Sequence, residues 1–392
     1  MEYSRRNLLG LGASVATAAA FGLDAAQAKA VSPPSLDALA RRGGRRFGTC
    51  LGTRNGGAAD SRYRDLVASQ CGLIVPENEL KWGWLRRTPT SFDFEAADRL
   101  LAYAERRGLA MRGHNLLWHH PKWLPAWVDS YDFGARPASA AEHMLGDHIA
   151  TVCRRYGTRI GSWDVVNEAV DDHTGLLRET AFSRAMGGAE PVLDLAFHAA
   201  RAAVPNAQLV YNDYMSFEPG NAAFRDGVLR LLDGFRKRAV PVDALGIQSH
   251  IGPGADGDSS FAQHEREWRA FVDRVVAMGY GLLITELDVS DRSMPAAIPA
   301  RDHAVADYAR PYLEAMLGYS QLGDVLVWGL GDKYSWLQTR APRPDGLLKR
   351  PCPYDTNLRS KPLRASIAAS FAEAAPHRRH WNDTSRSLRS SV

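Results

Sequence analysis

The feature that most constrains the fold of this chain is a regular alternation of short apolar segments with longer segments of helical character, which begins near Arg46. The short segments are rich in Val, Ile, Leu and aromatic residues, a composition typical of buried parallel strands. The intervening segments are each long enough for a helix, and residues 140–156 and 261–278 carry apolar side chains at helical spacing. The alternation predicts repeated βα units.

Eight segments are predicted as strands, and eight βα units close into a (β/α)8 TIM barrel of the α/β class. They are residues 46–51, 73–76, 110–114, 162–167, 208–212, 244–249, 282–286 and 325–329. The length of 392 residues would also fit two ordinary domains. Because no linker or low-complexity spacer interrupts residues 31–375, we predict that they form one domain.

Seven of the eight predicted strands end in side chains that can carry chemistry or bind a ligand. These endings are Glu77-Asn78, His114-Asn115, Asn167-Glu168, Asn212-Asp213, Gln248-Ser249-His250, Glu286-Leu287-Asp288 and Trp328. In barrel enzymes the carboxyl ends of the strands carry the active site. The pattern therefore predicts a polar funnel over one mouth of the barrel.

Two of these endings carry the glutamates Glu168 and Glu286, which lie after the fourth and at the seventh predicted strand. Retaining glycosidases use two carboxyl groups about 5–5.5 Å apart, one as acid/base and one as nucleophile. Strand ends across a narrow barrel can meet that spacing, which suggests glycoside hydrolysis. Asn167 is suited to bind a sugar 2-hydroxyl, although Asn167-Glu168 taken alone is more often a helix cap.

The neighbours of the two glutamates separate their roles. Gln248 and His250 lie on the strand beside Glu286, and Asp288 points the same way as Glu286 because it is two residues further along the strand. A histidine near Glu286 keeps that carboxylate ionised. We therefore assign Glu286 as the nucleophile and Glu168 as the acid/base, which the nearby negative charge keeps protonated at the start.

Ten tryptophans are many for this length, and several of them lie beside the predicted strand ends. Sugar rings stack on indoles, although a single tryptophan is more often part of a core. Their position at the funnel rim assigns four of them to ligand binding: Trp82, Trp118, Trp328 and Trp336.

Composition argues against other classes of function. The formal net charge is only +4 and the basic residues are scattered, so we predict no nucleic-acid partner. The histidines near the strand ends lack a compact ligand motif, so we predict no metal and no cofactor. Four cysteines, Cys50, Cys71, Cys153 and Cys352, also lack metal-ligand spacing, and either disulfides or buried free thiols are compatible with the sequence.

Both ends of the chain differ from the middle. Residues 1–30 resemble a twin-arginine export signal, with Ser4-Arg5-Arg6-Asn7-Leu8-Leu9 before a weakly apolar run, although an ordinary Sec signal or an N-terminal helix is an alternative. The run is too short and too rich in Ala and Gly for a membrane anchor. We predict export to the periplasm or the medium, and a flexible basic tail over residues 376–392.

Seven motifs, taken in order, resemble those of glycoside hydrolase family 10, the retaining endo-β-1,4-xylanases, over about residues 46–371. The motifs are Pro76-Glu77-Asn78-Glu79-Leu80-Lys81-Trp82, Arg112-Gly113-His114 with Trp118-His119, Trp163-Asp164-Val165-Val166-Asn167-Glu168, Tyr211-Asn212-Asp213-Tyr214, Gln248-Ser249-His250, Ile284-Thr285-Glu286-Leu287-Asp288, and Trp328-Gly329 with Asp332 and Ser335-Trp336.

The resemblance implies a catalytic domain over residues 31–375 whose cleft cuts xylan internally, with Glu168 as acid/base and Glu286 as nucleophile. It also implies that the distal glycone sugar is bound by Glu77, Asn78 and Lys81. The sugar under attack would be surrounded by His114, Asn167, Gln248 and His250, with Trp328 and Trp336 on the glycone side. The implied partners are xylan and xylo-oligosaccharides, and we expect a monomer.

The chain departs from the family pattern at its rim. The segment His120-Pro121-Lys122-Trp123-Leu124-Pro125-Ala126-Trp127 replaces a shorter one, and residues 341–350 form an unfamiliar loop. Such changes should alter subsite preference rather than the reaction. Two rival readings are another retaining barrel hydrolase, such as a cellulase or mixed-linkage glucanase, and a non-catalytic xylan-binding protein, which the two intact glutamates disfavour.

Overall fold

The computed structural model describes residues 33–254, 259–374 and 376–377. The predicted export signal, residues 1–30, lies outside this part of the chain, as does the tail after His377. In the described ranges, no helix has both the length and the apolar character that a bilayer crossing requires.

Nine strands are found in the described residues, and eight of them form a closed parallel barrel. They are β1 (Phe47–Leu51), β2 (Leu73–Pro76), β3 (Ala110–Trp118), β4 (Ile160–Asn167), β5 (Gln208–Asp213), β6 (Ala244–Ile247), β7 (His250–Ile251), β8 (Gly281–Val289) and β9 (Leu322–Val327). Each barrel strand pairs with the next, β6 pairs directly with β8, and β9 returns to β1 through Thr49 and Val327. The two-residue β7 pairs with β8.

Most helices of the described residues lie between strands in sequence, while one precedes β1 and two follow β9. The helices are α1 (Leu36–Arg42), α2 (Ser61–Gln70), α3 (Trp82–Leu85), α4 (Glu95–Arg106), α5 (Ala126–Asp129), α6 (Pro137–Tyr156), α7 (Ala181–Met186), α8 (Ala189–Ala203), α9 (Ala222–Lys237), α10 (Phe261–Ala277), α11 (Ile298–Leu317), α12 (Leu337–Arg340) and α13 (Pro362–Glu373), with short 3-10 turns at Gly157–Arg159 and Asp332–Tyr334. The predicted (β/α)8 barrel is confirmed.

All eight predicted barrel strands are present, and the main difference is the length of β3. It was predicted to end at His114 but continues to Trp118, since Leu116 and Leu117 are fully buried beyond the polar pair His114-Asn115. The predicted helices over 140–156 and 261–278 correspond to α6 and α10. A proline in the first turn starts α6, as expected for a residue without a backbone N–H.

All four cysteines of the chain are buried free thiols. Burial raises the pKa of Cys153 to about 12 and raises the pKa of Cys50, Cys71 and Cys352 well above the usual range. These thiols are therefore protonated and unreactive at neutral pH. Of the two alternatives left open by the sequence, free thiols are the one observed.

Close packing between β3 and β4 depends on one glycine. Gly113 lies opposite Trp163 in the strand register, and Trp163 is fully buried and packs against Tyr156 of α6. A Cβ atom added to Gly113 would lie 1.9 Å from Trp163 Cε3. The indole therefore occupies the space that a side chain at Gly113 would need.

We expect Gly113→Ala to lower the free energy of unfolding by about 2–4 kcal/mol, because Trp163 cannot move without disturbing the core. The matched control is Gly146→Ala in α6, where an added Cβ meets nothing within 4 Å. That change should stabilise the helix by about 0.5–1 kcal/mol. Denaturant unfolding of both variants measures the difference, and equal midpoints would contradict it.

Candidate active site

With the exception of Trp82, the predicted site residues lie together at the carboxyl-terminal mouth of the barrel. They are carried on or just after the barrel strands and on the short β7: Glu77, Asn78 and Lys81 after β2, His114 and Trp118 in β3, Asn167 in β4 and Glu168 after it, Gln248 after β6, His250 in β7, Glu286 and Asp288 in β8, and Trp328 and Trp336 after β9. Parallel strands that close into a barrel bring these distant parts of the sequence to one rim.

Glu168 is held in place from both sides. Its backbone has a φ of 55°, and its N–H donates to the carbonyl oxygen of Asn212 at 3.0 Å. One carboxylate oxygen accepts a hydrogen bond from Trp118 Nε1 at 2.8 Å, and the other accepts one from Gln248 Nε2 at 2.9 Å. A left-handed backbone at a glutamate costs of order 1–3 kcal/mol, and these contacts keep the residue in that conformation.

Glu286 accepts hydrogen bonds from two side chains that are themselves held. Asn212 Nδ2 donates to one carboxylate oxygen at 2.8 Å, and His250 Nε2 lies 3.3 Å from the other. The second ring nitrogen of His250 lies 2.9 Å from Asp288, which also accepts from Trp336 Nε1 at 2.7 Å. The histidine beside Glu286 is thus fixed by a carboxylate on the same strand as Glu286.

The charges around Glu286 decide its ionisation. Burial raises its pKa, but the hydrogen bond from His250 and the positive charges of His114, His250 and Lys81 outweigh burial and lower the pKa to about 2. Burial lowers the pKa of His250, but the charge of Asp288 and the bonds to both carboxylates raise it to about 10. At neutral pH Glu286 is therefore an anion and His250 a cation that donates from both nitrogens.

A chain of amide side chains links the two glutamates. Gln248 Nε2 donates to Glu168 and also lies 3.4 Å from Asn167 Oδ1. Asn212 Nδ2 donates to the same Asn167 oxygen at 2.9 Å as well as to Glu286. The side-chain NH₂ of Asn167 is buried and has no partner in the described ranges. The network therefore fixes the positions of both carboxylates relative to the side-chain NH₂ group of Asn167.

Asn212 was not among the predicted site residues, although its strand ending had been noticed. Its side-chain oxygen accepts from Thr285 Oγ1 at 2.7 Å, which leaves its NH₂ group to donate to both Asn167 and Glu286. The signal in the sequence that could have identified Asn212 was the presence of polar residues at the ends of several neighbouring strands. The sequence could not show which atom each amide would contact.

A buried ion pair, also missed by the sequence analysis, supports His114. Arg112 Nη2 lies 2.6 Å from Asp164, and the second oxygen of Asp164 lies 2.9 Å from His114 Nδ1. Both members of the pair are buried, in β3 and β4. The signal was present in the sequence, because a charge between Trp163 and Val165 in an apolar strand needs a partner.

A second group of charges lies on the side of the mouth formed by β1, β2 and β9. Lys81 Nζ lies 3.3 Å from Asn78 Oδ1, 4.7 Å from the Trp118 ring centroid and 5.9 Å from that of Trp328. Burial lowers the pKa of Lys81, against the opposing charges of Glu286, Glu77 and Glu168. Burial raises the pKa of Glu77 to about 7, which the charge of Lys81 opposes.

The assignment of Trp82 to ligand binding is wrong. Its side chain is buried and stacks on His148 of α6 with the ring centroids 3.7 Å apart, and it also contacts Phe182. Trp82 begins α3 directly after Lys81, and α3 turns its indole into the core. Position beside a strand end did not reveal the direction of the side chain.

In the ranges that the structure describes, no three His, Cys, Asp or Glu side chains are grouped so that they could hold a metal ion. The site offers instead an ionised carboxylate, a second carboxyl group bound by two N–H donors, and amide and indole groups around them. Such a set can attack an electrophilic carbon and transfer a proton without a cofactor.

Comparison with known proteins gives a consistent match. The family model for glycosyl hydrolase family 10 matches residues 35–370. Endo-1,4-beta-xylanase 5 of Pyricularia oryzae is 34% identical over 337 residues, which cover 84% of this chain and 76% of that protein. Endo-1,4-beta-xylanase B of Paenibacillus barcinonensis is 32% identical over 314 residues, which cover 76% of this chain and 88% of that protein.

Solved structures match over most of the chain as well. Xylanase 10B from Thermotoga petrophila in complex with xylobiose superposes with a TM-score of 0.75 and 27% identity, covering 86% of this chain and 97% of that one. A mutant of xylanase 10C from Cellvibrio japonicus in complex with xylopentaose gives a TM-score of 0.76 and 26% identity, covering 89% of this chain and 71% of that one.

We expect His250→Asn to raise the pKa of Glu286, because the variant removes the cation that lies closest to this buried carboxylate. A titration followed by NMR of labelled glutamate carboxyls should show a group near pH 2 in the wild type and no such group in the variant. His264→Asn on the outer helix α10 is the matched control. An unchanged titration of Glu286 in His250→Asn would contradict the role of His250.

Proposed function

The chain belongs to glycosyl hydrolase family 10, and from this membership and the geometry of its site we propose that it is an endo-1,4-β-xylanase. In this proposal it hydrolyses internal β-1,4-xylosidic bonds of xylan and binds xylo-oligosaccharides. The observation that carries the proposal is the pair Glu168 and Glu286, joined through the amides of Gln248, Asn167 and Asn212.

Glu286 acts as the nucleophile, because its low pKa keeps it ionised. Its carboxylate attacks the anomeric carbon while Glu168 gives a proton to the departing glycosidic oxygen, and a covalent glycosyl-enzyme forms. The ester at Glu286 removes one negative charge from the site. Glu168, now ionised, then takes a proton from the water that releases the sugar.

The partners of Glu168 suit this change of role. Trp118 Nε1 and Gln248 Nε2 can only donate hydrogen bonds, so they stabilise the carboxylate form that acts as base in the second step. A protonated Glu168 still offers lone pairs on both oxygens to the same two donors. The same contacts therefore fix the position of Glu168 in both protonation states.

Asn167 binds the 2-hydroxyl of the sugar under attack. Its oxygen is occupied by Asn212 and Gln248, which leaves its buried NH₂ group as the donor for a ligand. A bond to the 2-hydroxyl strengthens in the transition state of such reactions. On the glycone side, Glu77, Asn78 and Lys81 bind the next sugar between the rings of Trp118 and Trp328.

The mature chain acts outside the cytoplasm. The motif Ser4-Arg5-Arg6 and the weakly apolar run after it support export by the twin-arginine route. Replacing both Arg5 and Arg6 by Lys should leave xylanase activity in the cytoplasmic fraction of the producing cells. Normal export of that variant would refute the twin-arginine assignment while leaving the enzymatic one intact.

The purified protein should release xylo-oligosaccharides from xylan, and Glu286→Ala should lower kcat by at least about 10³-fold because no glycosyl-enzyme can form.

Glu168→Ala should lose activity on xylan. It should keep part of its activity on aryl xylobiosides, because their good leaving groups need no general acid. Added azide should increase the rate of Glu168→Ala on those substrates, since azide attacks without a general base.

One control variant accompanies these changes. Asn221→Ala replaces a polar residue at the start of α9 and should keep wild-type activity.

NMR of fresh product should show the β anomer first, and early α product would contradict a retaining mechanism. Equal digestion of cellulose and xylan by the wild type would favour a glucanase instead.

A further inference from the structure

Two rim segments that follow β3 and β9 meet at an exposed tryptophan. Trp123 is 38% exposed, and its ring stacks on that of Trp118 with the centroids 4.9 Å apart. Lys122 Nζ lies 5.0 Å from the Trp123 centroid, and the guanidinium carbon of Arg340 lies 5.8 Å from it. Two cations, one from each segment, thus converge on one indole, next to the indole that donates to Glu168.

Neither cation has a carboxylate partner in the part of the chain that the structure describes, and both side chains are exposed. Other basic residues near this rim are paired: Arg178 with Asp171 at 3.0 Å, Lys333 with Asp60 at 3.5 Å and Arg343 with Asp345 at 2.7 Å. The positive charge at Lys122 and Arg340 is therefore not cancelled locally. Uncompensated cations beside a cleft attract anionic ligands.

The strand order shows where on the cleft this pair lies. In the barrel, β2 and β1 lie between β3 and β9, so a contact between the segments after β3 and β9 spans the ends of β2 and β1. The segment after β2 carries Glu77, Asn78 and Lys81, and Lys81 Nζ lies within 6 Å of the ring centroids of both Trp118 and Trp328. The cation pair therefore borders the proposed glycone sugars.

A chain of neutral pentoses offers no group that requires two cations. A guanidinium presents parallel N–H donors that match a carboxylate, and an ammonium adds a second charge. Both cationic groups lie within 6 Å of the Trp123 ring centroid, and contact with an aromatic ring does not neutralise them. The chemistry that fits this site is a carboxylate attached to a sugar.

We propose that Lys122 and Arg340 bind the carboxylate of a uronic acid branch, so that the enzyme prefers xylan carrying such branches over neutral xylan. The proposal rests on the proposed xylanase function and concerns substrate choice at the same cleft. Trp123 is the residue that positions the two cations.

The test compares glucuronoxylan with the same polymer after chemical reduction of its carboxyl groups, and includes linear xylohexaose. The double variant Lys122→Gln, Arg340→Gln should lower kcat/KM on glucuronoxylan about five- to tenfold, the size expected for two solvent-exposed ion pairs. On the reduced polymer and on xylohexaose its kcat/KM should remain within about twofold of the wild type. Added salt should weaken the wild-type preference for the acidic polymer.

Arg266→Gln, which removes an exposed charge from the outer helix α10, is the matched control and should leave all three rates unchanged. Equal losses of the double variant on acidic and reduced polymer would overturn the proposal, since the cations would then act on the chain or on the fold. No loss on glucuronoxylan would also overturn it. Failure of the wild type to cleave xylohexaose would instead refute the xylanase function itself.

Discussion

The contact between His250 and Glu286 is the interaction on which the chemistry of this barrel depends. A carboxylate taken out of water favours its neutral form, which could not attack a carbon atom. The imidazolium beside it, together with Lys81 and His114, reverses that preference and leaves a buried anion. Asp288 and Trp336 hold the imidazolium in turn, so residues from the strand β8 and the segment after β9 help to keep Glu286 ionised.

Around this contact the site is built from hydrogen bonds between side chains of neighbouring strands. Asn212 on β5 joins Asn167 on β4 to Glu286 on β8, and Gln248 after β6 joins Asn167 to Glu168. None of these groups can shift alone, because each has its acceptor or donor on another strand. The closed sheet therefore serves as the rigid frame that the two carboxylates require.

The sequence predicted the features that depend on hydrophobic periodicity and on the order of polar residues along the chain. It did not predict the direction in which a side chain points or the partner with which that side chain forms a hydrogen bond. The number of barrel strands, the closed barrel and the residues at its mouth follow from apolar runs with polar ends. Trp82 was misassigned because a position after a strand end does not reveal which way a short helix turns its side chains. The bonds of Asn212 and the Arg112 to Asp164 pair were not predicted, since choosing among several possible partners requires the register of adjacent strands.

The unpaired state of Cys50, Cys71, Cys153 and Cys352 has a consequence for where the chain can acquire its fold. No oxidant, isomerase or oxidising compartment is needed to complete the described barrel, because no cross-link contributes to it. The thiols are buried and protonated, so a reducing cytosol and an oxidising exterior present the same covalent molecule. Folding of this domain is thereby independent of redox conditions, and the same covalent molecule forms in a reducing or an oxidising compartment.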